Sequence, residues 1–209
     1  TPYYSASIII QVKDDRRGGM PSELAAFSEL TNMAGVKNNV ENEVEVLRSR
    51  TLMEKTVEAL HLDVAFFSEG NVKTSELYKN IPITIQWLKD TVSHQNQKGG
   101  TFSIKEISPK QFDLFDATGV KAGTFPYDEI IDLKEIGAII VSKAKDGTYH
   151  KNYNLSFQLK PMKSIAAGYK ASLGIATLGK NTSVVELSLT DGVPQKAEDI
   201  LNTLIAIYN

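Results

Sequence analysis

The clearest alternation of hydrophobic and polar positions lies near the end of the chain. Val185, Leu187 and Leu189 alternate with polar residues, which is the period of a half-buried strand. Pro194 then stands where a first helical turn tolerates proline, and the apolar residues that follow share one helical face. They are Ala197, Ile200, Leu201, Leu204 and Tyr208. The pattern predicts a closing strand and helix after a polar turn at 179–181, and we expect the helix to continue beyond Asn209.

The first residues of the chain predict a strand followed by a helix. The β-branched run Ile8, Ile9 and Ile10 favours a buried strand over residues 5–12. Beyond a charged loop, a second apolar stripe recurs at helical spacing between Pro21 and Gly35. Its members are Leu24, Phe27, Leu30 and Ala34. We therefore expect a βα unit at this end as well.

Residues 38–62 carry two apolar stripes whose phases differ. One stripe is Val40, Val44 and Leu47, and the other is Met53, Val57 and Leu60. The rotation between them predicts two helices joined near residues 49–51. Thr51 and Glu54 have the spacing of a capping box, which predicts the start of the second helix.

The pattern of apolar and polar residues at 68–161 is typical of short strands separated by polar turns. Strand alternation recurs at 83–87, 102–104 and 112–114, and the segments 138–141 and 153–159 are further strand candidates. Asp146 and Gly147 lie between the last two of these segments and predict a hairpin that joins them. A helix is expected at 163–173. The order of elements indicates one α+β domain over residues 1–209, with a mixed or antiparallel sheet flanked by helices.

The composition of the chain says more about the molecules that it can bind than about its fold. The 209 residues are 42% hydrophobic and 23% charged, which suits a globular chain with an ordinary core. A formal net charge of −2 disfavours nucleic acid as a partner. The chain has no cysteine, and no apolar run approaches the roughly 20 residues of a membrane-spanning helix.

The candidates for catalysis or cofactor binding are weak. Gly174, Gly179 and Lys180 match part of a phosphate-binding loop, but Asn181 replaces the magnesium-binding hydroxyl and the surrounding elements are in the wrong order. The histidines, His61, His94 and His150, are scattered, which disfavours a metal cluster. Asp128, Glu129 and Asp132 form an acidic group without a partner acid for glycoside chemistry. No catalytic residue, metal ligand or cofactor is therefore predicted.

Charged side chains surround the predicted joint between the two helices. Glu43 and Glu45 precede the joint, and Arg48 and Arg50 flank it. They suit exposed pairs worth under about 1 kcal/mol each, or contacts with a neighbouring subunit. Both interpretations remain open on the sequence, and these residues are the candidate subunit interface.

Two blocks of the chain carry a family resemblance. Residues 42–50, with the letters NEVEVLRSR, are followed by Glu54, Val57, Leu60 and the Leu62-Asp63 pair; the second block has GKNT at 179–182 and VELS at 185–188. Pro194, Ala197, residues 200–202 and Tyr208 complete it, and Pro2, Tyr3 and Ala6 fit the opening. This combination resembles the bacterial chain-length determinant (Wzz) family, especially its Wzc branch, which carries a cytoplasmic tyrosine autokinase.

The resemblance implies a polysaccharide co-polymerase of the bacterial inner membrane. This segment would be the membrane-proximal α/β base of its periplasmic domain, with residue 1 just outside the first membrane helix. The helical arm, the second membrane helix and any kinase would lie outside the chain. The implied partners are further copies of the protein in a ring, the polysaccharide polymerase and export machinery, and the polysaccharide itself. The implied role is non-enzymatic control of the length or export of capsule, exopolysaccharide or O-antigen.

A carbohydrate-binding module is the alternative from another class. Trp87, Tyr127, Tyr149 and Tyr153 are its candidate stacking residues, because aromatic rings can pack against sugar faces. Core packing explains most of these aromatic residues more simply. A glycan hydrolase is a third interpretation, and it would rest on the acidic group described above.

Overall fold

The computed structural model describes residues 2–12, 40–69, 74–88, 98–133, 136–144, 154–179 and 182–209. Helix α1 covers 40–47. The other helices are α2 (Arg50–Ala59), α3 (Met162–Ser172) and α4 (Pro194–Tyr208). The strands are β1 (Tyr4–Gln11), β2 (Val64–Glu69), β3 (Thr74–Leu77), β4 (Ile83–Leu88), β5 (Gly100–Ser108), β6 (Gln111–Asp116), β7 (Lys121–Pro126), β8 (Ile130–Asp132), β9 (Ala138–Lys143), β10 (Asn154–Leu159), β11 (Gly174–Thr177) and β12 (Val184–Asp191).

This α+β chain forms two compact units, and each has its own sheet structure. The terminal unit combines Thr1–Leu60 with Ala166–Asn209, and the central unit is His61–Ile165. Every strand pairing among the described residues is antiparallel. The predicted α+β class with an antiparallel sheet is therefore confirmed. The expected helix between Pro21 and Gly35 lies outside the described residues.

The terminal unit contains a three-stranded sheet in the order β1-β12-β11. The predicted alternation in β12 is confirmed, because Val185, Leu187 and Leu189 are at most 1% exposed. Helix α4 packs on β12 and β1. The strand prediction for β1 is correct, but the prediction that it is buried is wrong. Strand β1 is an edge strand, and Ile9 remains 59% exposed because its side chain lies on the face opposite Ile8 and Ile10.

A buried polar cluster joins β12, α3 and α4 in the terminal unit. The carboxylate of Asp191 accepts a hydrogen bond from the Val193 amide at 2.8 Å and lies 3.1 Å from the Lys196 ammonium. The second carboxylate oxygen of Asp191, Oδ2, accepts a hydrogen bond from the Tyr169 hydroxyl at 3.0 Å. Asp191 and Lys196 are buried as residues, so the cluster supplies the hydrogen bonds that a buried charge requires.

The central unit contains a six-stranded sheet, β3-β2-β10-β5-β6-β7, and a three-stranded sheet, β4-β9-β8. Their inward residues form one hydrophobic cluster. Phe157 lies within it with no exposed surface, and its ring is stacked on Phe102 at 5.4 Å between centroids. The strands predicted at 83–87, 102–104 and 112–114 are present as β4, β5 and β6.

The hairpin predicted around Asp146 and Gly147 is wrong. Both flanking segments are strands, but β9 pairs with β4 and β8, whereas β10 pairs with β2 and β5. The turn residues themselves lie outside the described residues. A local turn signal cannot determine which sheet receives each strand, because long-range pairing decides that.

Across the described ranges, no helix is both long enough and apolar enough to cross a membrane.

Candidate interaction surface at the helix joint

A backbone hydrogen bond at the end of α1 and a serine N-cap at the start of α2 form the joint between these helices. The Ser49 amide donates to the Val46 carbonyl at 2.9 Å, which closes the end of α1. Ser49 has extended backbone angles, and its hydroxyl accepts from the Leu52 amide at 3.2 Å. The predicted joint at residues 49–51 is confirmed. The predicted capping box is wrong, because Ser49 is the N-cap and Thr51 already lies inside α2.

Glu43 faces the last turn of α4. Its carboxylate accepts a hydrogen bond from the Tyr208 hydroxyl at 2.6 Å. Desolvation of this hydroxyl, and next its hydrogen bond to Glu43, raise the pKa of Tyr208 from 10.0 to about 12. Glu43 therefore has a partner within its own chain, and its contact ties α1 to the end of α4.

Arg48 bridges the end of α1 and the edge strand β11. Its guanidinium donates to the Ile175 carbonyl at 3.1 Å, and a second nitrogen lies 4.0 Å from the Glu45 carboxylate. The side chains of Arg48 and Glu45 are 47% and 76% exposed. The Arg48 contact covers part of the β11 edge, where an open carbonyl could pair with another strand.

Arg50 makes its ion pair along α2. Its guanidinium nitrogen lies 2.7 Å from the Glu54 carboxylate, at the i,i+4 spacing that stabilises helices. The Arg50 side chain is 55% exposed, so solvent screens this pair.

The structure thus separates the predicted interface residues into two groups. Glu43 is half-buried and engaged with α4, whereas Glu45, Arg48 and Arg50 are exposed around the joint. Val46, which is 48% exposed, lies between the charged residues in sequence and adds an apolar element that the sequence analysis did not single out. Its position outside the Val40, Val44 and Leu47 stripe is the signal that marks it. We call Glu45, Val46, Arg48 and Arg50 the joint surface.

The aromatic residues named for carbohydrate stacking are not exposed where the structure describes them. Trp87 is 6% exposed, and its indole nitrogen donates to the Ile136 carbonyl at 3.0 Å. Tyr127 packs on Phe112 at 5.0 Å between centroids and lies 4.8 Å from the Lys143 ammonium. Tyr149 and Tyr153 lie outside the described residues. Trp87 and Tyr127 therefore belong to the core of the central unit.

The other chemical candidates fall on ordinary structural positions. Gly174 begins β11, so the partial phosphate-loop match runs along a strand toward a strand connection. The acidic group lies at a turn and a short strand, with Asp128 at a φ of 65°. His61 is a turn residue, and His94 and His150 lie outside the described ranges. Within those ranges, no group of three or more acidic or histidine ligands could hold a metal ion.

Comparisons with known proteins identify relatives of the chain by sequence similarity. No protein-family profile matches the chain. It is 25% identical over 227 residues to tyrosine-protein kinase wzc of Salmonella typhi, and again of Salmonella typhimurium. A protein in the cps region of Klebsiella pneumoniae, named as a tyrosine-protein kinase, is 24% identical over 233 residues. Each match covers 100% of this chain and 28% of the relative.

The chain is thus similar along its whole length to a segment of Wzc-type tyrosine kinases. It spans 28% of the length of these curated relatives, and this segment is not their kinase domain. Among solved structures, FlgL of Xanthomonas campestris aligns at 11% identity over 88% of this chain and 86% of its own. The TM-score of that alignment is 0.24, which does not indicate a shared fold.

Proposed function

We propose that this chain is an extracytoplasmic scaffold domain of a polysaccharide co-polymerase in the bacterial inner membrane. The intact protein would assemble as a homo-oligomeric ring and regulate the chain length or export of capsular polysaccharide, exopolysaccharide or O-antigen. The observation that carries the proposal is the similarity to Wzc over 100% of this chain. The two-block resemblance to the Wzz family supports the same assignment.

The joint surface suits contact between copies of the protein. It presents both signs of charge, because Glu45, Arg48 and Arg50 are exposed, and it includes exposed Val46, which lies between Glu45 and Arg48 in sequence. A ring requires a heterologous interface, in which one surface meets a different surface on the next subunit. Mixed charges around an apolar residue can select the register of such an interface.

The test is the size of the full-length, membrane-anchored protein in detergent, with and without a charge reversal. Glu45→Lys should abolish or shrink the ring, because it places like charges beside Arg48 and Arg50. Glu198→Lys makes the same charge change on an exposed position of α4 and should leave the ring intact. Mass photometry measures both particles. A monomeric wild-type particle would contradict the scaffold role. If the Glu45→Lys protein still forms an intact ring, the joint surface is not part of the subunit interface.

A functional readout complements the measurement of size. A strain that lacks the native gene should recover its normal polymer length distribution with the wild-type protein and with Glu198→Lys. Glu45→Lys should leave a broadened or shortened distribution, as seen by gel electrophoresis of the surface polysaccharide. Unchanged polymer in the deletion strain itself would contradict a role in polysaccharide export.

A further inference from the structure

Helix α1 carries Glu45 and Val46 of the joint surface, and its inner face is aliphatic. Val40 and Leu47 on that face are 5% and 0% exposed. Aliphatic packing is non-directional, whereas a hydrogen bond holds two atoms within a narrow range of distance and angle. The exact placement of Glu45 and Val46 therefore depends on the polar contacts that hold this segment.

Two hydrogen bonds tether the segment to distant parts of the terminal unit. The Glu43 carboxylate accepts from the Tyr208 hydroxyl at 2.6 Å, and this bond is partly buried. The Arg48 guanidinium donates to the Ile175 carbonyl at 3.1 Å, in an exposed position. A charge-assisted hydrogen bond that is shielded from water is stronger than one that water can replace. Tyr208 therefore supplies the stronger of the two tethers.

Tyr208 lies on a helix that the core of the terminal unit holds in place. Ile200, Leu201 and Leu204 of α4 are at most 1% exposed, and α4 packs on β1 and β12. Tyr208 stands four residues after Leu204, so the two side chains lie on the same side of α4. The Tyr208 hydroxyl is thus a donor whose position is set by the core.

The Tyr208 tether acts on the side of α1 that carries Val46. Val46 lies three residues after Glu43, and residues at this spacing are neighbours on one helical face. Glu43 is half-buried, whereas Val46 is 48% exposed. A rotation of α1 that separated Glu43 from Tyr208 would also move Val46 and Glu45, because backbone hydrogen bonds link successive turns of a helix.

We propose that Tyr208 is a positioning residue for contact between subunits. Through Glu43, its hydroxyl holds α1 in the orientation in which the joint surface meets a neighbouring copy of the protein. This inference rests on the proposed function. A surface that is already ordered avoids the entropy cost of ordering it on association. Loss of the hydroxyl therefore weakens assembly even though Tyr208 itself need not contact the neighbouring copy.

The first test measures ring assembly of the full-length, membrane-anchored protein by mass photometry. Tyr208→Phe keeps the aromatic ring but loses the donor, and it should raise the protein concentration at half-assembly about tenfold. Tyr3→Phe removes a hydroxyl at a 76% exposed position and should leave assembly unchanged. Glu43→Gln keeps an acceptor oxygen and should assemble better than Glu43→Leu, which has none.

The second test measures amide hydrogen exchange in the 209-residue protein under conditions in which it is monomeric. Tyr208→Phe should speed exchange at Arg48 and Ser49, whose amides donate to the Val44 and Val46 carbonyls at 3.0 and 2.9 Å. Exchange in β12 should stay unchanged, because the tether does not involve that strand. A purely general loss of stability would speed exchange at the joint and in β12 alike.

Each outcome supports or overturns the positioning role. Weaker assembly and locally faster exchange in Tyr208→Phe, with neither change in Tyr3→Phe, support it. Unchanged Tyr208→Phe assembly, in a ring that Glu45→Lys disrupts, overturns it and leaves the scaffold role standing. Faster exchange in β12 as well would show general destabilisation and overturn it too. An intact Glu45→Lys ring overturns it because the joint surface is then outside the interface, and a monomeric wild-type protein overturns the scaffold role as well.

Discussion

Glu43 and Arg48 show that a charged residue in a motif can have a partner in its own chain. Glu43 accepts from Tyr208, and Arg48 donates to Ile175. Substitution of either residue would disturb the terminal unit as well as any interface. Glu45, with 76% of its side chain exposed, is the position at which a substitution tests association with least effect on folding.

Tyr208 should ionise later than an ordinary tyrosine. Desolvation, and next Glu43, raise its pKa to about 12 in the folded chain. A raised folded-state pKa means that the stabilisation is complete below the ordinary value of about 10 and is lost as pH rises from about 10 to 12. Titration of phenolate absorbance should therefore contain a step near pH 12 that Tyr208→Phe removes. A difference titration without this late step would contradict the contact.

Lys196 should be essential to the buried polar cluster. Lys196→Met removes the cation and leaves the Asp191 carboxylate, 9% exposed as a residue, without its ion-pair partner. We expect a loss of about 3 kcal/mol in the free energy of unfolding, measured by urea denaturation. Lys170→Met makes the same change at an exposed position of α3 and should be nearly neutral. Equal stabilities of the two variants would show that the cluster does not stabilise the unit.

The joint between α1 and α2 shows how an element boundary depends on one hydroxyl. Two serine or threonine residues lie close together, and only Ser49 has the extended backbone of a cap. The apolar stripes predict that the helix changes direction but do not choose between neighbouring hydroxyls, because either could bond an amide of the first turn.

Ser49→Ala and Thr51→Ala should therefore have different effects on stability. Ser49→Ala removes the 3.2 Å hydrogen bond from the Leu52 amide and should cost about 1 kcal/mol. Thr51→Ala lies inside α2 at an exposed position and should change stability by less than about 0.5 kcal/mol. Thermal denaturation followed by circular dichroism compares the pair. A larger loss of stability for Thr51→Ala than for Ser49→Ala would show that Thr51 is the capping residue, as the capping-box prediction stated.

At the scale of the whole molecule, each compact unit has its own buried residues. Trp87 is the chain's single tryptophan and lies in the core of the central unit. Its fluorescence is therefore a reporter of that unit's unfolding.

Phe157→Ala should lower the stability that this fluorescence reports. The ring is fully buried between Phe66 and Phe102, so truncation loses apolar contact and leaves a cavity. We expect a cost of about 3–5 kcal/mol in the denaturant transition of Trp87 fluorescence. Ile130→Ala, at an exposed position, should shift the same transition only slightly. A fluorescence transition insensitive to Phe157→Ala would contradict the described core.

Much of the fold and part of the candidate site could be predicted from the sequence. The stripes of α2 and α4 and the alternation of β12 identified buried positions, because the period of each element repeats locally. The charges of the joint surface were predicted, whereas Val46 was not, although its position outside the Val40, Val44 and Leu47 stripe indicates an exposed apolar residue.

The sequence by itself located the four described helices and strands β1, β4, β5, β6, β9, β10 and β12, and it identified the core-facing residues of β12 and α4. Only the tertiary structure decided that β9 and β10 enter different sheets, that β1 is an edge strand, and that Glu43 and Arg48 have partners 165 and 127 residues away. The physical reason is that side-chain periodicity is a property of a short segment, whereas strand order and hydrogen-bond partners depend on contacts between segments distant along the chain.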